Sequence, residues 1–228
     1  MKKFKFTTKQ LILLALSLFF LGWYLSRIFD RSDTSLQIKK DSSSYSLLDN
    51  LDEFHKLEYV SFINLDSSDF EKLSNINRDD IWVVIKYSNL KDTSFLKKFK
   101  SIGSLLFVDS EVTITEPVTT PINEYRIAGE TYLNGFNYLS STPGLTEVYI
   151  DEANMEGVIK NCVLYDSSVF AEFDTVEVLS LHKCKVKDVS GILEMEALKK
   201  IYVDKRKITE GLVEELKEKG IEVEICEY

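Results

Sequence analysis

The stretch from Thr175 to Val203 reads TVEVLSLHKCKVKDVSGILEMEALKKIYV. Its apolar residues fall on a grid. Val176, Leu179 and Leu181 take the first, fourth and sixth places of a unit, and Cys184 and Val186 take the ninth and eleventh. The grid restarts 22 residues later with Leu198, Ile201 and Val203. The fourth and sixth places share one face of an extended segment, because strand side chains alternate. Each unit therefore supplies one short strand and a return segment, and stacked units bury a continuous core.

The same grid can be followed back to residue 47. Leu57, Val60 and Phe62 fit it, as do Ile102, Leu105 and Phe107, and Leu145, Val148 and Ile150. Asp80 fits poorly at a first place, although Val83 and Ile85 follow it correctly. Starts at 57, 80, 102, 145, 176 and 198 give steps of 23, 22, 43, 31 and 22. The step of 43 holds two units, the second expected to start at Glu124 with Ile127 in the fourth place and Gly129 in the sixth. The step of 31 implies an insertion of about nine residues after Ile150, on the 22-residue period. The return segments repeat independently. Cys162, Leu164, Asp166 and Ser168 precede Cys184, Val186, Asp188 and Ser190 by 22 residues, and Ser88 and Leu90 precede Ser110 and Val112 by the same step.

The 22-residue unit resembles the internalin-like class of bacterial leucine-rich repeat proteins, whose pattern is L-x-x-L-x-L-x-x-N/C-x-L, over roughly residues 47–225. The resemblance implies an irregular α/β solenoid with a parallel sheet on its concave side and short helical or 3₁₀ return segments. It also implies protein recognition by the strand face. In that family the ninth place is usually Asn, whose amide bridges successive turns. Here Ser88, Ser110, Ala153 and Cys184 stand there, and Gly191 stands where the family often has Pro.

The 228-residue chain carries a net charge of −9, unevenly placed. Lys2, Lys3, Lys5, Lys9 and Arg27 fall within residues 1–29 with no acid among them, so the rest of the chain is far more acidic than the total suggests. An acidic body repels phosphate backbones, which excludes nucleic acid as the expected partner. The run from Gln10 to Ser26 is uncharged and rich in Leu and Phe. At about 1.5 Å per residue it spans roughly 25 Å, and Trp23, Tyr24 and Arg27 suit a membrane–water boundary. The expectation is a basic cytoplasmic tail at 1–9, one uncleaved transmembrane helix at 10–29, a linker at 30–46, and a repeat domain at 47–228 outside the cytoplasm. A cleaved signal peptide is the rival reading, but no small-x-small site follows Gly22. At the other end, Thr209 to Lys219 reads as a helix stopped by Gly220, and Ile221, Val223 and Ile225 read as a final half-exposed strand.

No catalytic motif stands out, and no cofactor is expected. Cys162 and Cys184, one period apart, are either two buried thiols or a disulfide. The outward face of the strands is more informative. Tyr59, Ile63, Trp82, Val84, Leu106 and Val108 form an apolar and aromatic cluster in the first units, with Tyr149 and Tyr202 further along. Either a loop spanning Thr113–Leu139 covers this cluster or a protein partner does. Asp151, His182 and Asp204 line up in the seventh place of neighbouring units, as either a solvated acidic face or a metal- or pH-sensitive site. The expected function is a membrane-anchored, non-enzymatic module that binds a protein outside the cytoplasm. The alternatives are an immunity or adaptor protein, a structural subunit of an envelope assembly, and a metal-dependent enzyme built on the acidic row.

Overall fold

The structure, a computed structural model, describes residues 34–155, 159–160 and 163–227. The expected tail at 1–9, the expected membrane helix at 10–29 and Cys162 lie outside them. Among the described residues no helix is long and apolar enough to cross a membrane.

The described part begins with β1 (Ser35–Lys39), β2 (Tyr59–Ile63), β3 (Ile81–Lys86) and β4 (Asn89–Leu90). It continues with β5 (Ile102–Val108), β6 (Glu111–Thr113), β7 (Ile122–Ala128) and β8 (Tyr132–Asn134). Next come β9 (Glu147–Asp151), β10 (Asn154–Met155), β11 (Ile159–Lys160) and β12 (Val163–Leu164). The last are β13 (Val178–His182), β14 (Lys185–Val186), β15 (Lys200–Asp204) and β16 (Glu222–Cys226). Among the described residues helices are few and short: α1 (Ser67–Phe70), α2 (Ser190–Glu194) and α3 (Glu210–Glu218), with 3₁₀ segments at Ser43–Glu53, Ser94–Lys98, Phe136–Leu139 and Ser168–Glu172.

The long strands form one nine-stranded sheet in the order β1-β2-β3-β5-β7-β9-β13-β15-β16, parallel throughout. The short strands form a second sheet, β14-β12-β11-β10-β8-β6-β4. Parallel neighbours need a crossover: β3, β5, β7, β9 and β13 are each followed by strands of the second sheet, and every crossover except β5 to β7 includes a helical segment. The protein is thus α/β with a large parallel sheet and few helices, an arrangement compatible with a solenoid.

The inward rows make the core. Val60, Val83, Leu105, Tyr125, Val148, Leu179 and Ile201 are buried in the fourth place, and Phe62, Ile85, Phe107, Ile127, Ile150, Leu181 and Val203 in the sixth. Each such side chain contributes about 1.5–3 kcal/mol by leaving water. Under the return segments Phe70 stacks on Phe95 at 4.2 Å, and Phe136, Phe170 and Phe173 pack together.

Two expectations need correction. The degenerate unit starts at Ile122, not Glu124: Tyr125 pairs with Leu105 and Ile127 with Phe107. The strand step there is 20 residues, and Tyr125, fully buried, takes the fourth place. A slip of two residues keeps each side chain on its face but moves its neighbours. Second, the expected linker over 30–46 contains structure. Ser35–Lys39 is the edge strand, paired with β2, and Ile38 is buried in the core. Lys40 fastens it, bonding Asp66 at 2.8 Å and Asp69 at 2.9 Å, while Tyr45 donates to Asp69 at 2.5 Å. The expected insertion after Ile150 is present and adds to one sheet only. β11 runs antiparallel between β10 and β12, so the second sheet is widened while β9 still pairs directly with β13.

Each turn from the first sheet to the second passes through a left-handed residue in the eighth place. Asn64, Tyr87, Asp109, Glu152 and Lys183 have φ between 48° and 57°, and Gly129 has φ 66°. The chain closes with α3, whose Val213 and Leu216 are buried, and with β16 along β15.

Candidate functional site

Because the fourth and sixth places point into the core, the third, fifth and seventh places face outward on the nine-stranded sheet. The register sets their neighbours. Tyr59, Trp82, Ser104, Glu124, Glu147, Val178, Lys200 and Glu222 form the third-place row. Ser61, Val84, Leu106, Arg126, Tyr149, Ser180, Tyr202 and Glu224 form the fifth.

The expected apolar cluster is brought together on β2, β3 and β5. Trp82 is its most exposed member, at 56%. Tyr59, Ile63, Leu106 and Val108 are half-buried around it. Val84 is buried, 6% exposed, between Ser61 and Leu106, so it is a base for the cluster rather than a contact surface. Residues 113–139 do not fold over it. They form the end of β6, a return segment anchored by the buried Ile114, Val118 and Thr120, β7, β8 and the Phe136–Leu139 turn.

A polar chain crosses the middle of the face. Ser104 donates to Glu124 at 2.6 Å, and Arg126 holds both oxygens of Glu124. The Arg126 guanidinium lies 4.3 Å from the centre of the Tyr149 ring, and Tyr149 donates to Glu147 at 2.7 Å. Burial pushes the Glu124 carboxyl up, but the hydrogen bonds from Arg126 and Ser104 outweigh it and hold it below the usual glutamate range. Burial and the bond to Glu147 push the Tyr149 hydroxyl up. Tyr149 and Tyr202 are thus half-buried members of a polar zone, not an extension of the apolar one. Sequence reasoning misses Glu124 as a site residue; its signal is the Glu-x-Arg spacing, which puts opposite charges on one face of a strand.

Asp151, His182 and Asp204 do lie side by side. The His182 Nδ1 is 3.2 Å from Asp151 and its Nε2 is 3.6 Å from Asp204. Asp204 also accepts the Lys183 amide at 2.9 Å, and Lys183 Nζ approaches Asp151 at 3.6 Å. Both ring nitrogens are turned toward carboxylates. Among the described residues no group of His, Cys, Asp or Glu is placed to hold a metal ion.

No protein-family model matches the chain, and no curated protein matches it.

Between the apolar and acidic zones lies an open hollow of about 500 Å³, lined by Leu106, Arg126, Tyr149, His182 and Tyr202 among others. A longer groove of about 960 Å³ runs along the flank where the two sheets meet, past Asn64, Tyr87, Asp109 and Tyr132. Its floor includes Ser88 and Ser110, which are committed to internal hydrogen bonds. The face of the large sheet is where aromatic, apolar and charged groups converge.

Proposed function

We propose that the chain is a leucine-rich repeat protein of the internalin-like 22-residue class, held to the membrane by residues 10–29. Its body binds a protein partner outside the cytoplasm through the outer face of the large sheet, without catalysis. The observation that carries this reading is Trp82. A large aromatic side chain 56% exposed on a parallel sheet, set between Tyr59 of β2 and Ser104 of β5, is costly to leave in water and has the composition of an interface anchor. The recurring stack of strands, each set on its neighbour by a return segment, supports the repeat class. The uncharged run after four lysines supports the anchor and its orientation.

The test is cross-linking in intact cells with a photoreactive residue at Leu106, in the full chain and in its Trp82→Ala variant. A discrete adduct that fades at least tenfold with Trp82→Ala supports the reading. An adduct indifferent to Trp82, or one obtained only from the helical-turn side, overturns it. Protease applied to spheroplasts should digest the body. Protection until lysis would reverse the orientation.

A further inference from the structure

The outer face is electrically graded along the stack. On β1, β2, β3 and β5 its charged residues are Lys39 and Lys86, with no carboxylate at an outward position. From β7 to β16 it carries Glu124, Glu147, Asp151, Asp204, Glu222 and Glu224 against Arg126 and Lys200. The apolar cluster sits wholly within the first group of strands.

The two zones are separated by a belt that is closed on itself. Ser104, Glu124, Arg126, Tyr149 and Glu147 satisfy one another in a continuous chain across β5, β7 and β9. Beyond the belt the acids are less well balanced. Lys200 alone answers both Glu222 and Glu224, whose side chains are 66% and 51% exposed. Asp151 is 41% exposed, with the His182 ring at 3.2 Å and Lys183 no closer than 3.6 Å.

Resting on the recognition reading above, we propose that this face takes one continuous segment of a partner protein, apolar with a neighbouring carboxylate at one end and basic at the other. The apolar end lies on Trp82 and Leu106, its carboxylate facing Lys86. The belt offers the middle of the segment no free charge. The basic end lies over Asp151 and the exposed carboxylates of β16, Glu222 and Glu224. Three strand spacings at ~4.8 Å, about 14 Å across the sheet, and four residues along the strand, about 13 Å, separate Trp82 from Asp151, roughly 20 Å in all. The first basic residue therefore stands about six residues from the anchor in an extended segment, or about thirteen in a helix.

The test uses the full chain in phosphatidylcholine nanodiscs to select random 16-residue peptides displayed on phage, with Trp82→Ala as the counter-selection. The expected winners carry an aromatic or aliphatic residue with Asp or Glu in one part and Lys or Arg in the other. A synthetic winner should lose at least tenfold in affinity on Asp151→Lys and on Lys86→Glu, each variant first checked for unchanged circular dichroism. Winners that need Trp82 but show no segregation of charge overturn this proposal and leave the recognition reading standing. Winners indifferent to Trp82, or no enrichment, overturn both. A Trp82-dependent dimer in the nanodisc-free detergent form would make a second copy the occupant and also overturn the proposal.

Discussion

The backbone amide of Ser88 donates to the hydroxyl of Ser110 across 3.2 Å, in a site where both residues are buried. It is one rung of a ladder. Leu65 donates to Ser88 Oγ at 3.2 Å, and Ser110 donates to Thr131 Oγ1 at 3.3 Å. Each hydroxyl in turn donates a hydrogen bond to the carbonyl that ends the preceding strand, Lys86, Val108 or Ala128. Short hydroxyls thus do between β2 and β7 what an asparagine amide would do in a regular repeat. Ala153 has no hydroxyl to continue the ladder. Ser110→Ala should cost about 1–3 kcal/mol, because it strands a buried amide. Ser110→Thr should cost much less, since Thr131 fills the same role one strand away. Urea denaturation of the pair checks this; equal losses would show that packing, not the bond, matters there.

Gly191 is pressed against the preceding return segment. Its amide donates to Ser167 Oγ at 2.8 Å, and a Cβ at this position would come within 2.0 Å of the Ser167 carbonyl oxygen. Gly191→Ala should therefore destabilise by about 3 kcal/mol, the upper end for overpacking. Gly191→Pro should be worse, losing the amide as well. Thermal unfolding of both variants reads this out. An unchanged midpoint for Gly191→Ala would mean that the two return segments can separate freely.

The N-terminal edge should be the first part to open in acid. Asp66 is held far below the ordinary aspartate value of 3.8, chiefly by its bond to Lys40 and then by Ser68. For Asp69, burial pushes up, but Tyr45, the Asp66 amide and Lys40 together hold it below 3.8. A depressed carboxylate stabilises the fold above the unfolded value and loses that contribution as pH falls through the folded one. Stability supplied by this cluster is therefore full near neutrality and declines below about pH 4. Hydrogen exchange of the amides of residues 35–39 should accelerate there before that of residues 102–108. Lys40→Ala should bring the same opening to neutral pH. Simultaneous opening of both strands would refute a separate edge.

Tyr125 sits in the core with its hydroxyl buried and without a hydrogen-bond partner among the described residues. Burial pushes that hydroxyl well above the ordinary phenol range. Tyr125→Phe should leave stability unchanged or raise it by about 1 kcal/mol, because it removes a desolvated polar group at nearly constant shape. A loss of more than about 1 kcal/mol in chemical denaturation would reveal a bond that the hydroxyl makes in solution.

Periodicity makes the inward rows legible before any coordinates. Burial depends on alternation, so pairs such as Leu179 and Leu181, or Leu105 and Phe107, announce themselves by apolar side chains two apart. The cap at Glu210–Glu218 is legible for a related reason, through Val213 and Leu216 one helical turn apart. The outward Trp82 can be placed on its face by counting from those rows. Neighbours are harder to count. Tyr125 stands where the pattern wants an aliphatic residue, so the count slips by two and puts Arg126 beside the wrong residues.

What the sequence by itself determined is the repeat, its inward face and the separation of an apolar zone from an acidic one, because these follow from hydrophobic periodicity and residue type. The tertiary structure alone decided the rest. Tyr87, Glu152 and Lys183 are poor left-handed residues, and they adopt φ near 55° only because each strand must turn a corner into the second sheet. Ser35–Lys39 reads as linker in isolation and becomes a strand because β2 offers it an unpaired edge. The partnership of Glu124, Arg126 and Tyr149 exists only once three strands are set side by side at one register. Local propensity is weak against such pairing, since the energy lies in contacts between residues some 20 positions apart, which no single stretch of chain contains.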